Sequence, residues 1–358
     1  MSVFSHAEFN AHEQVVFVED KASGLRAIIA VHDTRLGAAV GGCRMYPYHS
    51  DTDALTDALR LSRGMTYKSA LAGLPFGGGK SVILGDPRHQ KTPELLRAMG
   101  RAVEGLSGSY IIAEDSGTSP EDMRIIAEAT SHVTGGDGIE TREDPSPATA
   151  WGVFQGIQAG ARMTFGNDAL EGKRVAIQGL GHVGYHLARH LIEAGATVLG
   201  SDINPSNLVK AATDLGVTPV SARDILFQPC DILAPCAMGG ILSEFSIPNI
   251  QARVIAGAAN NQLATDQDDQ RLRARGILYC PDFAINAGGV IDIFHQQRGA
   301  TPDGRREAVN RIGSTIELIL ERAAETGAGT QHVAQYMAEE RIPGQPVSST
   351  EHRLRGAA

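Results

Sequence analysis

Two lysines twelve positions apart, Lys68 in GMTYKSALAG and Lys80 in LPFGGGKSVI, are the side chains of this 358-residue sequence best suited to amine chemistry. A solvated surface lysine needs no approach free of side chains. Gly77–Gly79, directly before Lys80, would let a small substrate lie against the backbone beside the amine. A phosphate-cradling loop is the rival, but its GxxxxGK[ST] pattern requires a glycine where Leu74 stands, so it fails here. The plainer alternatives are a charge at a helix end for Lys68 and at a strand start for Lys80.

A second chemistry is written in GLGHVG. Lys173–Gln178 (KRVAIQ) is a short β-like run, and Gly179, Gly181 and Gly184 follow at dinucleotide-fingerprint spacing before a helix-like Tyr185–Ala194. The first glycine permits a tight turn, the second lets the main chain approach a pyrophosphate, and the third lets helix and strand pack closely while the helix N-terminus faces the anion. A second β-like run, Thr197–Ser201, ends at Asp202, 23 positions after Gly179. A carboxylate there accepts hydrogen bonds from both ribose hydroxyls and repels a 2′-phosphate, which favours NAD over NADP. A turn or N-cap aspartate ahead of Asn204 and Pro205 is the competing interpretation.

These groups need elements to hold them. β-rich runs at Val15–Val18 and Leu25–Val31 precede a helical pattern over Asp53–Met65. Glycines, prolines and acidic residues between Gly135 and Pro147 mark an exposed connection. Ala148–Arg162 is read as a helix, after which strand and helix signals alternate to about Tyr279, a doubly wound pattern. Arg305–Ala324 and Gln331–Glu340 carry helical periodicity. The fold class is therefore α/β with two domains. Residues 1–145 would form an α/β substrate and oligomerisation domain, and 146–325 a Rossmann NAD-binding domain. Helices in 326–358 would pack back on the first.

Bulk properties narrow the partners. With 41 acidic against 32 basic residues and a net charge of −9, no basic footprint for nucleic acid stands out. The first fourteen residues lack the basic start and apolar stretch of a signal peptide, and no run approaches the length of a membrane span. A cytoplasmic protein without membrane or nucleic-acid partners is expected. Cys43, Cys230, Cys236 and Cys280 show no metal-ligand spacing, so free thiols and no metal are expected.

GGCRMYPY, ALRLSRGMTYKSALAGLPFGGGKSVILGDP, AEDSGT, PSPATAWGVF, AIQGLGHVG, PCAMGG and NAGGVI, in this order from about Gly41 to Ile291, resemble the leucine, phenylalanine and glutamate dehydrogenase superfamily. The leucine dehydrogenase branch fits best. The resemblance implies NAD-dependent, reversible oxidative deamination of an apolar L-amino acid to its 2-oxo acid and ammonia, by a homo-oligomer, octamer or dimer, built through the first domain. By the same resemblance Lys80 is the catalytic lysine, Lys68 pairs with the substrate carboxylate, and Asp115 assists proton transfer. A neighbouring cation and partial desolvation favour a neutral amine at position 80, able to activate water. Ser116 stands where the family's usual residue is valine.

Cofactor contacts are expected from Thr149, from the turn Gly179, Leu180, Gly181, His182, Val183 and Gly184, and from Asp202, Cys236, Ala237 and Asn286, the last of which could equally be an N-cap. Asn261 would lie beside both cofactor and substrate. The side-chain pocket implied by the resemblance is Val40, Gly41, Ala113, Val290 and Ile293. Its aliphatic wall disfavours glutamate, whereas one methylene changes discrimination by only about 1–3 kcal/mol, so leucine, valine and isoleucine group together. An aromatic substrate such as phenylalanine is the alternative. A noncatalytic NAD-binding regulator and a 2-hydroxy-acid dehydrogenase are further readings. Intact Lys68, Lys80 and Asp115 oppose the first, and the lack of a histidine base near an arginine clamp opposes the second.

Overall fold

In the computed structural model, which describes residues 2–134 and 144–344, the chain divides into two units, residues 1–143 and 144–358. Most of the expected connection, 135–143, lies outside the described residues.

The first unit is built on a five-stranded sheet: β1 (Gln14–Asp20), β2 (Leu25–Asp33), β3 (Ala39–Tyr46), β4 (Gly77–Leu84) and β5 (Tyr110–Glu114), in spatial order β1-β2-β4-β3-β5. β1, β2 and β4 pair antiparallel, while β3 runs parallel to both β4 and β5. Because strand side chains alternate, the register sorts residues onto two faces. Leu25, Ala27, Ile29, Cys43, Met45, Tyr110 and Ile112 share an apolar core with α2 (Pro93–Glu104) and α3 (Pro120–Ala127). The opposite face carries Ile28, Ala30 and Val82 against α1 (Asp51–Ala72). α1 runs beyond the expected Asp53–Met65. Ser50 caps its start by accepting from the Asp53 amide, and it stops only at Gly73, in the left-handed conformation at φ 66°.

The second unit opens with α4 (Ser146–Phe165). Its sheet comprises β6 (Arg174–Gln178), β7 (Thr197–Ser201), β8 (Thr218–Pro219), β9 (Ile232–Pro235), β10 (Val254–Ile255) and β11 (Leu278–Tyr279). All pairings are parallel, in order β11-β10-β9-β6-β7-β8. This is the doubly wound order, with its switch point between β6 and β9, where such folds bind ligands. α5 (His182–Glu193), α6 (Pro205–Leu215) and α7 (Gln267–Ala274) lie among the strands, followed by α8 (Asp282–Ile285), α9 (Gly288–Gln297), α10 (Pro302–Thr326) and α11 (Thr330–Glu340). α10 packs on α4 and α9, and α11 packs on α10, α7 and β11 within this same unit. Among the described residues no helix is long and apolar enough to cross a membrane, and no cluster of three or more His, Cys, Asp or Glu could hold a metal ion. All four cysteines are free thiols.

Candidate active site

In the first unit the α1-facing row of the sheet carries the chemistry. Val40 pairs with Gly78 of β4 and Ile111 of β5, and Gly42 pairs with Ala113. Continuing that register puts Lys80 beside Gly42 on the same face, with Asp115 one step past β5. Lys80 is only 3% exposed, and its Nζ donates to Asp115 Oδ2 across β3. Gly42 makes that reach possible, because a Cβ there would stand 2.7 Å from both Cβ and Oδ2 of Asp115. The other carboxylate oxygen, Oδ1, accepts from the Ser116 amide at 2.5 Å and from Arg44 Nε at 3.3 Å. Burial alone would raise the Asp115 carboxyl, but Lys80 and Arg44 hold it well below the usual carboxylate range. The Ser116 departure thus leaves Asp115 served by a backbone amide, which is indifferent to the side chain.

Lys68 lies half-buried in the last turns of α1. That helix meets β4 at Gly78, where a Cβ would overlap Thr66 and Ser62. The Gly77–Gly79 run therefore does something other than the sequence suggested. Gly77 is closed by the Asp33 carbonyl, Gly78 by α1, and Gly79 by the Tyr110 ring, 2.5 Å from a would-be Cβ. These glycines admit the protein's own backbone and rings rather than substrate, and so bring α1 and β4 together. Gly41 also packs internally. Its carbonyl accepts from the Tyr110 hydroxyl at 2.8 Å, and a Cβ on it would overlap the Gly79 carbonyl.

In the second unit the turn after β6 has fingerprint geometry. Gly179 sits at φ 94°, and a Cβ there would stand 2.8 Å from the Ala237 Cβ, while one on Gly184 would overlap the Gly179 carbonyl. Gly181 differs: nothing lies within 4 Å of a would-be Cβ. The fold does not need that glycine, but a close-approaching pyrophosphate would. Gly181 is also the N-cap residue of α5 and offers no side-chain cap, so the first-turn amides keep their capacity for an anion. Asp202, at the end of β7, accepts from the Leu180 amide at 2.8 Å, the Asn204 amide at 2.7 Å and Asn207 Nδ2 at 3.3 Å. It is a turn aspartate and still has acceptor capacity for a ribose hydroxyl. Leu180 itself is buried, while His182 is exposed and Val183 half-exposed on α5.

Across the switch point, the Cys236 amide donates to the Gln178 carbonyl at 2.7 Å. Burial pushes the Cys236 thiol up to about 12, which removes it as a nucleophile. Asn261 adopts a left-handed φ of 51°, and its carbonyl accepts from the Gly240 amide at 2.7 Å, tying the PCAMGG loop to AGAANN. Asn286 is not the cap of α9, a position Ala287 takes. Its Nδ2 donates to the Ala258 carbonyl and to Asn260 Oδ1, and its Oδ1 is buried with no partner among the described residues. An orphaned acceptor beside the glycine turn's neighbour loop suits a carboxamide donor, so these residues fit a nicotinamide dinucleotide. Thr149, in the first turn of α4, packs against Gly289 at the start of α9. Val290 and Ile293 are half-exposed, as are His295 and Gln296 of the same helix α9; the first two lie one helical step apart on a single face, while Phe294 is buried.

The structure thus gathers Lys80, Asp115, Val40 and Ala113 on one sheet face of the first unit, and the glycine turn, Asp202, Cys236, Ala237, Asn261 and Asn286 around one switch point in the second. Sequence reasoning missed Gly42, Arg44, Asp57 and Asn260. GGCR and AGAANN held the signal, but only pairing with other strands and loops reveals the partners.

Residues 12–132 match the family model described as Glu/Leu/Phe/Val dehydrogenase, dimerisation domain, and residues 138–205 and 203–294 match that of glutamate/leucine/phenylalanine/valine dehydrogenase. The chain is 48% identical over 343 residues to a leucine dehydrogenase of Geobacillus stearothermophilus, covering 96% of this chain and 94% of the relative. It is 43% identical to a valine dehydrogenase of Streptomyces virginiae, covering 94% and 95%. The crystal structure of L-tryptophan dehydrogenase from Nostoc punctiforme aligns with TM-score 0.77 at 43% identity, covering 94% of this chain and 97% of that one.

Proposed function

This chain belongs to the glutamate/leucine/phenylalanine/valine dehydrogenase family and is an amino-acid dehydrogenase, and from that premise we propose that it interconverts a branched-chain L-amino acid with its 2-oxo acid and ammonia, using NAD, as a homo-oligomer. The observation that carries the reading is Lys80, almost fully buried yet ion-paired to Asp115 on a sheet face shared with aliphatic Val40 and Ala113.

The roles follow from chemistry. Lys68 supplies a cation for the substrate α-carboxylate. A nicotinamide dinucleotide held by the turn Gly179–Gly184, Asp202 and Asn286 would supply the acceptor for the Cα hydride, so that the substrate becomes an iminium. Lys80, once it has released its proton to solvent and left Asp115 ionised, acts as base for a water whose oxygen bonds to the iminium carbon. The carbinolamine then collapses: the C–N bond breaks, the Lys80–Asp115 pair delivers a proton to the departing nitrogen, and the hydroxyl proton is lost as the carbonyl forms. Water supplies the carbonyl oxygen, and ammonia leaves. Asp202 supports NAD, since a carboxylate at the end of β7 repels a 2′-phosphate.

Aliphatic Val40, Ala113, Val290 and Ile293, together with similarity to leucine and valine dehydrogenases, support the branched-chain preference. Similarity to L-tryptophan dehydrogenase supports an aromatic substrate as the second reading. NADH oxidation with a panel of 2-oxo acids, with and without ammonium, tests the proposal. Ammonium-dependent turnover fastest with 4-methyl-2-oxopentanoate or 3-methyl-2-oxobutanoate is expected, and Lys80→Ala should abolish it. Fastest turnover with an aromatic 2-oxo acid would favour the second reading. Near-normal turnover by Lys80→Ala would overturn the mechanism, and tighter binding of NADP than of NAD would overturn the cofactor assignment.

A further inference from the structure

Asp115 has two oxygens with different duties. Oδ2 faces Lys80, while Oδ1 is held by the Ser116 amide and by Arg44. Arg44 is on the same face of β3 as Gly42, two residues on, and is itself pinned from α1: its Nη1 donates to Asp57 Oδ2 at 2.8 Å, and the Tyr48 hydroxyl donates to the same oxygen at 2.6 Å. Arg44, Asp57 and Asp115 are each about one-fifth exposed, so this is a mostly desolvated chain of charges rather than a surface pair. Burial and Asp57 both raise the Tyr48 phenol, so that hydroxyl stays a donor. Lys80 must give up its proton to act as a base. At that moment Asp115 loses its cationic partner, and an isolated buried carboxylate would take up a proton or swing away. A guanidinium does neither, being charged at every working pH and anchored at its far end.

We propose that Arg44 is a positioning residue for the reaction: anchored through Asp57 and Tyr48, it keeps Asp115 ionised and oriented while Lys80 is neutral. The inference rests on the roles proposed above for Lys80 and Asp115 and adds a residue that does not itself touch substrate.

The test compares Arg44→Met, Arg44→Lys and Asp115→Asn in the full-length enzyme, reading the pH profile of kcat/KM in the deamination direction. Removing a fixed cation favours protonation of the groups beside it. In Arg44→Met the acid limb should therefore move to higher pH by about one unit or more, with lower kcat. Arg44→Lys should return the limb towards its original position without restoring full kcat, because an ammonium cannot bridge Asp115 and Asp57 as a guanidinium does. NADH affinity, a property of the second unit, serves as the folding control, and the double variant Arg44→Met with Asp57→Asn covers the case in which a stranded Asp57 prevents folding; its kcat should also be low. An unmoved acid limb in Arg44→Met beside an inactive Asp115→Asn would overturn this proposal alone. Near-normal turnover by Asp115→Asn would overturn the role of Asp115 and this proposal with it.

Discussion

Replacing Gly42 with alanine adds one methyl group at the point where Lys80 crosses β3 to Asp115. The new carbon would stand 2.7 Å from Asp115 Cβ and Oδ2 and 2.9 Å from the Glu114 carbonyl oxygen. Carbon contacts relax at about 3.5–4.0 Å, so the carboxylate has to recede by about 1 Å, away from the amine. A misplacement of that size costs about 10²-fold in turnover, or roughly 3 kcal/mol of barrier. Overpacking a strand row costs a further 1–3 kcal/mol or so of stability. Ammonium-dependent NADH oxidation by purified Gly42→Ala should show kcat down by about that factor, while KM for the 2-oxo acid moves much less, because Lys68 on α1 is untouched. NADH binding by the second unit should be unchanged. If the variant melts earlier but turns over normally per folded molecule, the claim that Gly42 clears the path between amine and carboxylate is wrong.

Gly181→Ala should fold with unchanged melting temperature, since nothing crowds the added methyl, yet bind NADH more weakly; wild-type affinity would remove the pyrophosphate from that turn. Burial first of all holds His12 at about 4 and His32 at about 3, against 6.5 for a free imidazole. Arg63 adds to this for His12, and His12 with Arg63 for His32, whereas the Leu59 carbonyl and Asp33 pull the other way. Between pH 6.5 and 5 only the unfolded chain binds these protons, so stability is fully present above pH 7 and falls by about 2 kcal/mol per histidine by pH 5. Urea unfolding of the first unit, followed by hydrogen exchange of α1 amides, should show that fall in the wild type and a flatter profile in His12→Gln/His32→Gln; equal slopes would refute it. Because His12 contacts Leu59 and Ser62, and His32 contacts Thr66, the fall should appear in the helix that carries Lys68.

The glycine turn and its aspartate were legible because they are local. Strand, turn, helix and the aspartate closing the next strand follow one another in the chain, and each glycine's task is set within that stretch. The first unit was legible only as residue types. Lys80 and Asp115 are 35 positions apart, and they meet only because β3 lies between β4 and β5 in the sheet. Nothing in GGCR says that its second glycine faces a carboxylate or that its arginine reaches α1. The same blindness produced the substrate-facing reading of Gly77–Gly79: a glycine run reveals that something approaches closely, but only the register reveals whether that is a ligand or a helix.

The buried charges of the first unit also constrain how catalysis balances its electrostatics. Lys80, Asp115, Arg44 and Asp57 alternate in sign along one connected path and sum to zero while the amine is protonated. Loss of the Lys80 proton leaves one net negative charge in a poorly solvated place. In the proposed mechanism that is unfavourable in the empty site and favourable once an iminium cation stands beside it, which would tie formation of the base to formation of the intermediate it serves. Removing an anion should then act opposite to removing Arg44. Asp57→Asn makes the path net positive, which disfavours protonation and should move the acid limb of kcat/KM to lower pH. The shift should be smaller than in Arg44→Met, because Asp57 reaches the pair only through the guanidinium. Shifts of opposite sign in these two variants are what a charge-balanced path requires. Movement in the same direction in both would mean that the limb reports a structural change common to the two, and the electrostatic account of Lys80 would fail.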